Sequence, residues 1–281
     1  MALRAKKPEA IKKRLKFFLF GVAGVGKTMA AIQFRNNYLV DAERGQENDE
    51  YIKAIAKADS QVFQCTELDE VIVEVRELLT TPHDFRTITI DPITTLYNEQ
   101  LEKSARKVGT DFGRHYNDAA IAMNRLVRLL MRLDMNVIVT SHAKAEYGDD
   151  MKKIGITFDA WKKLDYMFDL VLHLERRGRA RVATVRKTRL AAFPDGETFD
   201  WSYAEFLKRH GQIIEEKTTT ATLATAEQVA EVKRLVGVVV LPDGTTDKWL
   251  KKADADCWED MTTEQIVKCI EHLTKRMDKP A

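Results

Sequence analysis

The sequence predicts an α/β fold: a mostly parallel central sheet flanked by helices, antiparallel at its end strands, with a small helical module behind it. Three observations carry this expectation. Short apolar runs at 15–20, 37–41, 60–64, 86–91 and 136–141 alternate with helical patterns, as in βαβ units. Two further runs, 168–174 and 180–187, follow each other through Arg176-Arg177-Gly178-Arg179, which reads as a hairpin. Near the C-terminus, Thr225 with Gln228 and Thr262 with Gln265 have the spacing of capping boxes.

Taken in order, residues 1–14 are basic and polar and read as an arm. The core follows over 15–214. Within it, Thr66 is expected to cap a helix over 67–79. Leu126, Leu129, Leu130 and Leu133 predict a helix over 116–134, on which Arg125, Arg128 and Arg132 share a face that reads as solvated. Residues 215–225 are Thr-rich, have no core pattern and read as a linker. Residues 226–281 form the helical module, with Ile266, Ile270 and Leu273 on one face of its last helix. A unit of that size is marginal as an independent core and is expected to dock on another surface.

The chain has 281 residues, with 45 Lys plus Arg against 43 Asp plus Glu, a net charge of +2. That balance excludes a globally basic DNA binder and an acidic tail. Charged residues at 31% and hydrophobic residues at 44% fit a globular chain. Cys65, Cys257 and Cys269 are scattered, with no CxxC pair, which fits a reducing, cytoplasmic compartment. No apolar run reaches the ~20 residues that span a bilayer, so no membrane association is expected. Basic residues before Phe17-Phe18-Leu19-Phe20 look faintly like a signal peptide, but the run is short and enters a glycine loop. Positive charge is unevenly placed: seven basic residues against one acidic in 1–16, four against one in 103–117, and seven against none in 176–189.

That glycine loop, Gly21-Val22-Ala23-Gly24-Val25-Gly26-Lys27-Thr28, matches GxxxxGK[ST] at every defined position, after a strand and before a helical pattern. Glycines let backbone N–H groups wrap phosphates. Lys27 reaches the outer phosphates and Thr28 offers a hydroxyl to Mg²⁺. Arg86-Thr87-Ile88-Thr89-Ile90-Asp91 reads as the strand whose terminal acid holds that ion through water. The nucleotide-binding residues are therefore expected to be Gly21, Gly24, Val25, Gly26, Lys27, Thr28, Met29 and Asp91, with Thr28 and Asp91 for the metal. ATP and Mg²⁺ are the expected cofactors.

Hydrolysis needs a group to orient water. Many ATPases place Glu directly after the strand-terminal Asp, but here Pro92 stands there. Glu43, in Asp41-Ala42-Glu43 past the second strand, is the best candidate for the base. His142, after Ser141 at the end of the 136–141 strand, reads either as a γ-phosphate sensor or as a structural histidine.

These positions together resemble the RecA/RadA recombinase core, over about residues 15–210. In that family an Asp-Ala-Glu supplies the catalytic Glu, which supports Glu43. The sensor strand usually ends in Gln, so His142 is a departure. Arg186-Lys187-Thr188-Arg189-Leu190-Ala191-Ala192-Phe193-Pro194 resembles the stretch whose basic residues enter a neighbouring subunit's ATP site. The resemblance thus implies Lys187 and Arg189 as catalytic groups acting in trans, and a homo-oligomer, ring or filament. Only the basic arm, and no polymerisation domain, is expected ahead of the core, and the size is similar to short phage RecA-like single-strand annealing proteins. An AAA+ arrangement with a helical lid directly after the core is not expected, and no NKxD motif points to GTP.

The same resemblance implies two single-stranded-DNA loops, near 104–117 and 143–162. The first offers Lys103, Arg106, Lys107 and Arg114 with Phe112, His115 and Tyr116 interleaved; the second offers Lys144, Lys152 and Lys153 with Tyr147, Phe158 and Trp161. Taken singly, each aromatic reads as packing rather than base stacking. The expected function is an ATP-dependent, single-strand-binding recombination protein that promotes annealing or strand pairing, with a single-strand-binding protein as a further partner. The alternatives are a replication accessory ATPase such as a helicase loader, and a nucleotide-dependent assembly switch.

Overall fold

Phe17 to Phe20 point alternately to opposite faces of a strand, so both faces need cover. The computed structural model, which describes residues 14–43, 48–148, 152–210 and 218–277, supplies it. The strands are β1 (Lys16–Gly21), β2 (Asn37–Asp41), β3 (Gln61–Gln64), β4 (Thr87–Asp91), β5 (Asn136–Tyr147), β6 (Lys153–Phe158), β7 (Leu170–Arg177), β8 (Ala180–Thr188) and β9 (Thr198–Asp200). They lie in the order β3-β2-β4-β5-β1-β7-β8-β9, with β6 paired to β5. Pairing is parallel from β3 through β7 and antiparallel at β7–β8, β8–β9 and β5–β6. The expected architecture is present, with β6 and β9 additional to the expected strands.

Phe18 and Phe20 enter a core shared with α3 (Leu68–Thr80), α4 (Ile93–Val108) and α5 (Arg114–Arg132). Phe17 and Leu19 enter another with Phe34, Phe193, Trp201 and Phe206, under α1 (Lys27–Ala31) and α6 (Tyr203–His210). A short α2 (Asp49–Lys57) follows β2 and is capped by Asn48, whose Oδ1 accepts from Glu50 N at 2.8 Å. The expected cap at Thr66 is not used: Glu67 stands at the N-cap of α3, without a side-chain bond.

Two segments expected as loops are ordered differently. Residues 104–117 are the end of α4, a single 3₁₀ turn at Asp111–Gly113 and the start of α5. Residues 143–158 hold the extension of β5 and its return as β6, so the chain leaves the sheet as a hairpin rather than a loop. Residues 149–151, within that stretch, lie outside the described residues.

The C-terminal module consists of α7 (Ala226–Val238), α8 (Thr245–Ala253) and α9 (Thr263–Met277) around Val232, Leu235, Met261, Ile266 and Leu273. Both capping boxes form: Thr225 and Gln228 bond reciprocally, as do Thr262 and Gln265. The module is docked on the core. The arginine face of α5 is the dock, not a solvated face. Asp260, 2% exposed, accepts from Arg125 Nε at 3.0 Å, with Arg76 Nε 3.7 Å away; its backbone oxygen accepts from Arg132. Arg128 pairs with Asp256 at 2.7 Å. Of the expected linker, 215–217 lie outside the described residues. The remainder is a strap: Thr219 donates to Asp134, Ala221 N donates to Leu79 O, and Leu223 is buried in the core beside α3. Of the expected arm, residues 1–13 lie outside the described residues, and Arg14 Nε pairs with Asp134 at 2.8 Å.

Candidate nucleotide site

Parallel strands bring their carboxyl ends to one edge, and the register decides which side chains meet there. Asp41 lies beside Asp91, and Gly21 beside His142. The glycine loop emerges from the end of β1, beside β5. Gly21 has no room for a side chain, since a Cβ there would meet Leu174 O at 2.4 Å. Gly26 has φ 94°, a left-handed conformation that favours glycine. The helix after the loop has only five residues, so backbone N–H groups and Lys27, rather than a helix dipole, are left to bind anions.

Lys27 is 8% exposed and folds back onto its own loop, donating to Gly21 O at 2.9 Å and Val22 O at 3.1 Å. Burial pushes its ammonium below the ordinary lysine range, against the opposing pull of Asp91 and Glu43. Asp91 is 5% exposed; burial raises its carboxyl above the usual range, while the Thr140 and Thr28 hydroxyls that bond it pull the other way. A buried carboxylate touching a threonine hydroxyl is a hard-oxygen donor set of the kind Mg²⁺ takes, so the residues present fit that ion.

Glu43 is held from three sides. Its backbone N–H bonds Asp41 Oδ1 at 3.0 Å, Thr95 Oγ1 donates to its Oε1 at 3.0 Å, and His142 Nε2 lies 3.1 Å from the same Oε1. His142 is fixed in turn through its backbone N–H, which donates to Thr94 Oγ1 at 2.9 Å. The segment after the second strand, the first turn of α4 and the middle of β5 thus converge on one carboxylate. A cavity of about 270 Å³ runs along these groups, lined by Gly24, Gly26, Lys27, Thr28, Met29, Glu43, Asp91 and His142 among others. A larger groove of about 410 Å³ between α3 and the 220–224 strap holds none of these groups.

Six lining residues were not anticipated as site residues: Ala23 of the loop, Pro92, Asn48 at the cap of α2, Glu50 and Tyr51 within α2, and Arg181 of β8. The signal for Arg181 lay in the hairpin. β7 runs parallel to β1, with His173 beside Phe20, so the start of β8 must lie level with the glycine loop. Lys187 and Arg189 sit at the other edge. Lys187 pairs with Val171, which lies beside Phe18 near the start of β1. Its Nζ donates to Asp165 O at 2.7 Å and Phe168 O at 2.9 Å; Arg189 bonds Tyr166 O and Asp169. They are not part of their own chain's cavity.

The expected DNA residues are partly paired. Lys103 bonds Asp69, Arg106 lies 3.7 Å from Glu102, and Lys107 bonds Asp118 at 2.8 Å, so acids from outside the segment balance its charge. Phe112 is fully exposed at φ 53°, Arg114 is exposed, and Tyr116 is exposed with the His115 ring against it. Asp69 is in the first turn of α3, just past β3, which places this turn on the nucleotide side of the sheet. In the hairpin, Lys144 pairs with Asp159 at 3.0 Å, while Lys152, Lys153 and Tyr147 are exposed. Trp161 and Phe158 serve packing: the first donates to Asn124 Oδ1 and lies against Tyr97, the second packs edge-on against Phe18.

Comparison with known proteins gives a family. Residues 13–192 match the family described as AAA domain. That description carries the AAA name the sequence expectation set aside, although the segment after β5 in the matched region is strand-rich, not a helical lid. The crystal structure of the RadB recombinase superposes with a TM-score of 0.43 and 16% identity, over 74% of this chain and 92% of that one. The structure of a DnaB-like replicative helicase and its interactions with primase superposes with a TM-score of 0.44 and 13% identity, over 67% of this chain and 54% of that one. No curated protein matches. Among the described residues, no helix is long and apolar enough to cross a membrane.

Proposed function

Since the chain belongs to the AAA-domain family, we propose that it is an ATPase that acts on single-stranded DNA, promoting annealing or strand pairing. The observation that carries the ATPase reading is the convergence of Lys27, Thr28, Asp91, Glu43 and His142 on one cavity. Phosphates entering the glycine loop offer Lys27 charged acceptors in place of the Gly21 and Val22 carbonyls, a stronger bond than the neutral one. Thr28 and Asp91 would hold Mg²⁺, which supplies charge neutralisation at the phosphates. Glu43 orients the attacking water, and Thr95 and His142 fix where its carboxylate points.

The single-strand reading rests on two surfaces on the nucleotide side: the 109–116 turn with exposed Phe112, Arg114 and Tyr116, and the β5–β6 hairpin with Tyr147, Lys152 and Lys153. Exposed rings beside cations suit a sequence-tolerant single-strand site. Arg106, Lys107, His115 and Lys144 belong to the same surfaces as secondary contacts. Lys187 and Arg189 complete the reading as groups acting on another copy's ATP within a ring or filament, and a single-strand-binding protein is a further partner.

The test is phosphate release with and without single-stranded DNA, run beside annealing of complementary strands. Turnover stimulated by DNA, with annealing, supports the proposal. Turnover without annealing, in a protein that co-purifies with a helicase, replaces it with a replication accessory role. ATP-dependent assembly without phosphate release replaces it with a switch.

A further inference from the structure

The hairpin of β7 and β8 was expected to carry cations toward a neighbour. One of them instead lies on its own chain's glycine loop. Arg181 stands opposite Arg176 at the start of β8, just beyond the point where Leu174 O closes on Gly21. Its Nε donates to Val25 O at 3.0 Å, and a Cβ on Gly26 would meet that same Nε at 2.6 Å. The side chain therefore lies flat against the loop, and it lines the cavity shared by Lys27, Thr28 and Asp91.

A guanidinium has five N–H donors in a planar fork, and the bond to Val25 O uses the one on Nε. Its Nε, Cδ and Cζ lie over Gly26, the residue that precedes Lys27, and the terminal nitrogens remain for other acceptors. The backbone of Arg181 is anchored too: its carbonyl accepts from Trp201 N at 2.7 Å, and the neighbouring Val182 pairs with β9. A cation held this way loses little freedom when it meets an anion.

We infer that Arg181 is a polyphosphate-binding residue acting in cis, with its Nε bracing the glycine loop and its terminal nitrogens on phosphate oxygens of the bound nucleotide. It supplies, within one chain, a second cation beside Lys27, at the edge of the sheet that Lys187 and Arg189 do not reach. This rests on the nucleotide reading of the cavity and names a further residue that completes it.

The experiment measures binding of a fluorescent, non-hydrolysable ATP analogue to the full chain, and its displacement by inorganic tripolyphosphate, in wild type, Arg181→Ala and Arg181→Gln. Gln keeps an N–H donor for Val25 O but no charge. The expected result is an affinity about tenfold weaker for both analogue and tripolyphosphate in both variants, equal to ~1.4 kcal/mol. If Gln restores wild-type affinity, Arg181 only braces the loop and the inference fails. Equal competition by tripolyphosphate in wild type and Arg181→Ala also overturns it. Failure of the nucleotide reading is distinct: there the wild-type protein itself does not bind the analogue.

Discussion

His142 Nε2 and Glu43 Oε1 lie 3.1 Å apart, although 99 residues of chain separate them. One lies midway along β5; the other follows β2, two strands away. Thr95 Oγ1 donates to the same oxygen, so this carboxylate is held while still 44% exposed. Both properties suit a group that must present itself to water in one orientation. His142→Ala should therefore slow turnover about tenfold while leaving nucleotide affinity within twofold, because Thr95 still holds the carboxylate. Steady-state phosphate release and analogue binding check the two halves.

Asp91 is destabilising as well as useful. Burial raises its pKa, so between the ordinary Asp value and the raised one the folded state binds more protons than the unfolded state, and stability falls as pH rises through that window. Asp91→Asn removes the charge and keeps the shape. The nucleotide-free protein should gain about 1 kcal/mol at neutral pH while losing its Mg²⁺-dependent response to nucleotide. Denaturant melts with and without Mg²⁺ and ATP analogue check both.

Asp260 joins the module to the core through Arg125, Arg76 and the Arg132 bond to its backbone. Removing a nearly inaccessible carboxylate leaves guanidinium groups without their partner, which costs more than the pair itself is worth. Asp260→Ala should lose about 3 kcal/mol and expose the 218–225 strap to protease; denaturant melts and limited proteolysis check it.

Glu259 gives the module an acid limit. Burial alone would raise its carboxyl, but the Lys233 ammonium at 2.6 Å, with further hydrogen bonds, holds it at about 2. A depressed carboxylate contributes stability that is complete above the unfolded value near 4.5 and lost as pH falls through 2. The side chain is 32% exposed, so the contribution is discounted to about 1–2 kcal/mol. The pH dependence of stability from about 5 down through about 2 should flatten by this amount in Glu259→Gln.

Lys187 and Arg189 lie at the edge of the sheet away from their own cavity, so a catalytic role for them needs a second copy. Lys187→Ala/Arg189→Ala protein and Lys27→Ala protein should each be inactive alone. Mixed, they should recover part of the activity, since an intact site on one copy can receive intact cations from the other. Phosphate release in a mixing series checks it; no recovery at any ratio removes the trans role.

Much of the fold was legible because β-branched and aromatic runs such as Phe17–Phe20 and Thr87–Ile90 are covered on both faces, which leaves an unbroken apolar signal. The glycine loop and Asp91 stand out in the sequence because each lies at the end of an apolar strand, and Glu43 because it follows β2 by two residues. What stayed hidden depends on distant partners. Arg125, Arg128 and Arg132 look solvated until Asp256 and Asp260 arrive from the module. Arg181 looks like one cation among seven until strand order places it on Val25. Lys103 and Lys107 look like free charge until Asp69 and Asp118 meet them.

The most direct test of the account is turnover in Glu43→Gln. The amide keeps the size and the hydrogen bonds of the side chain but cannot take a proton from water. Phosphate release should fall at least about a hundredfold with ATP-analogue affinity unchanged. Unchanged turnover in Glu43→Gln would contradict the assignment of Glu43 and, with it, the chemistry proposed for this cavity.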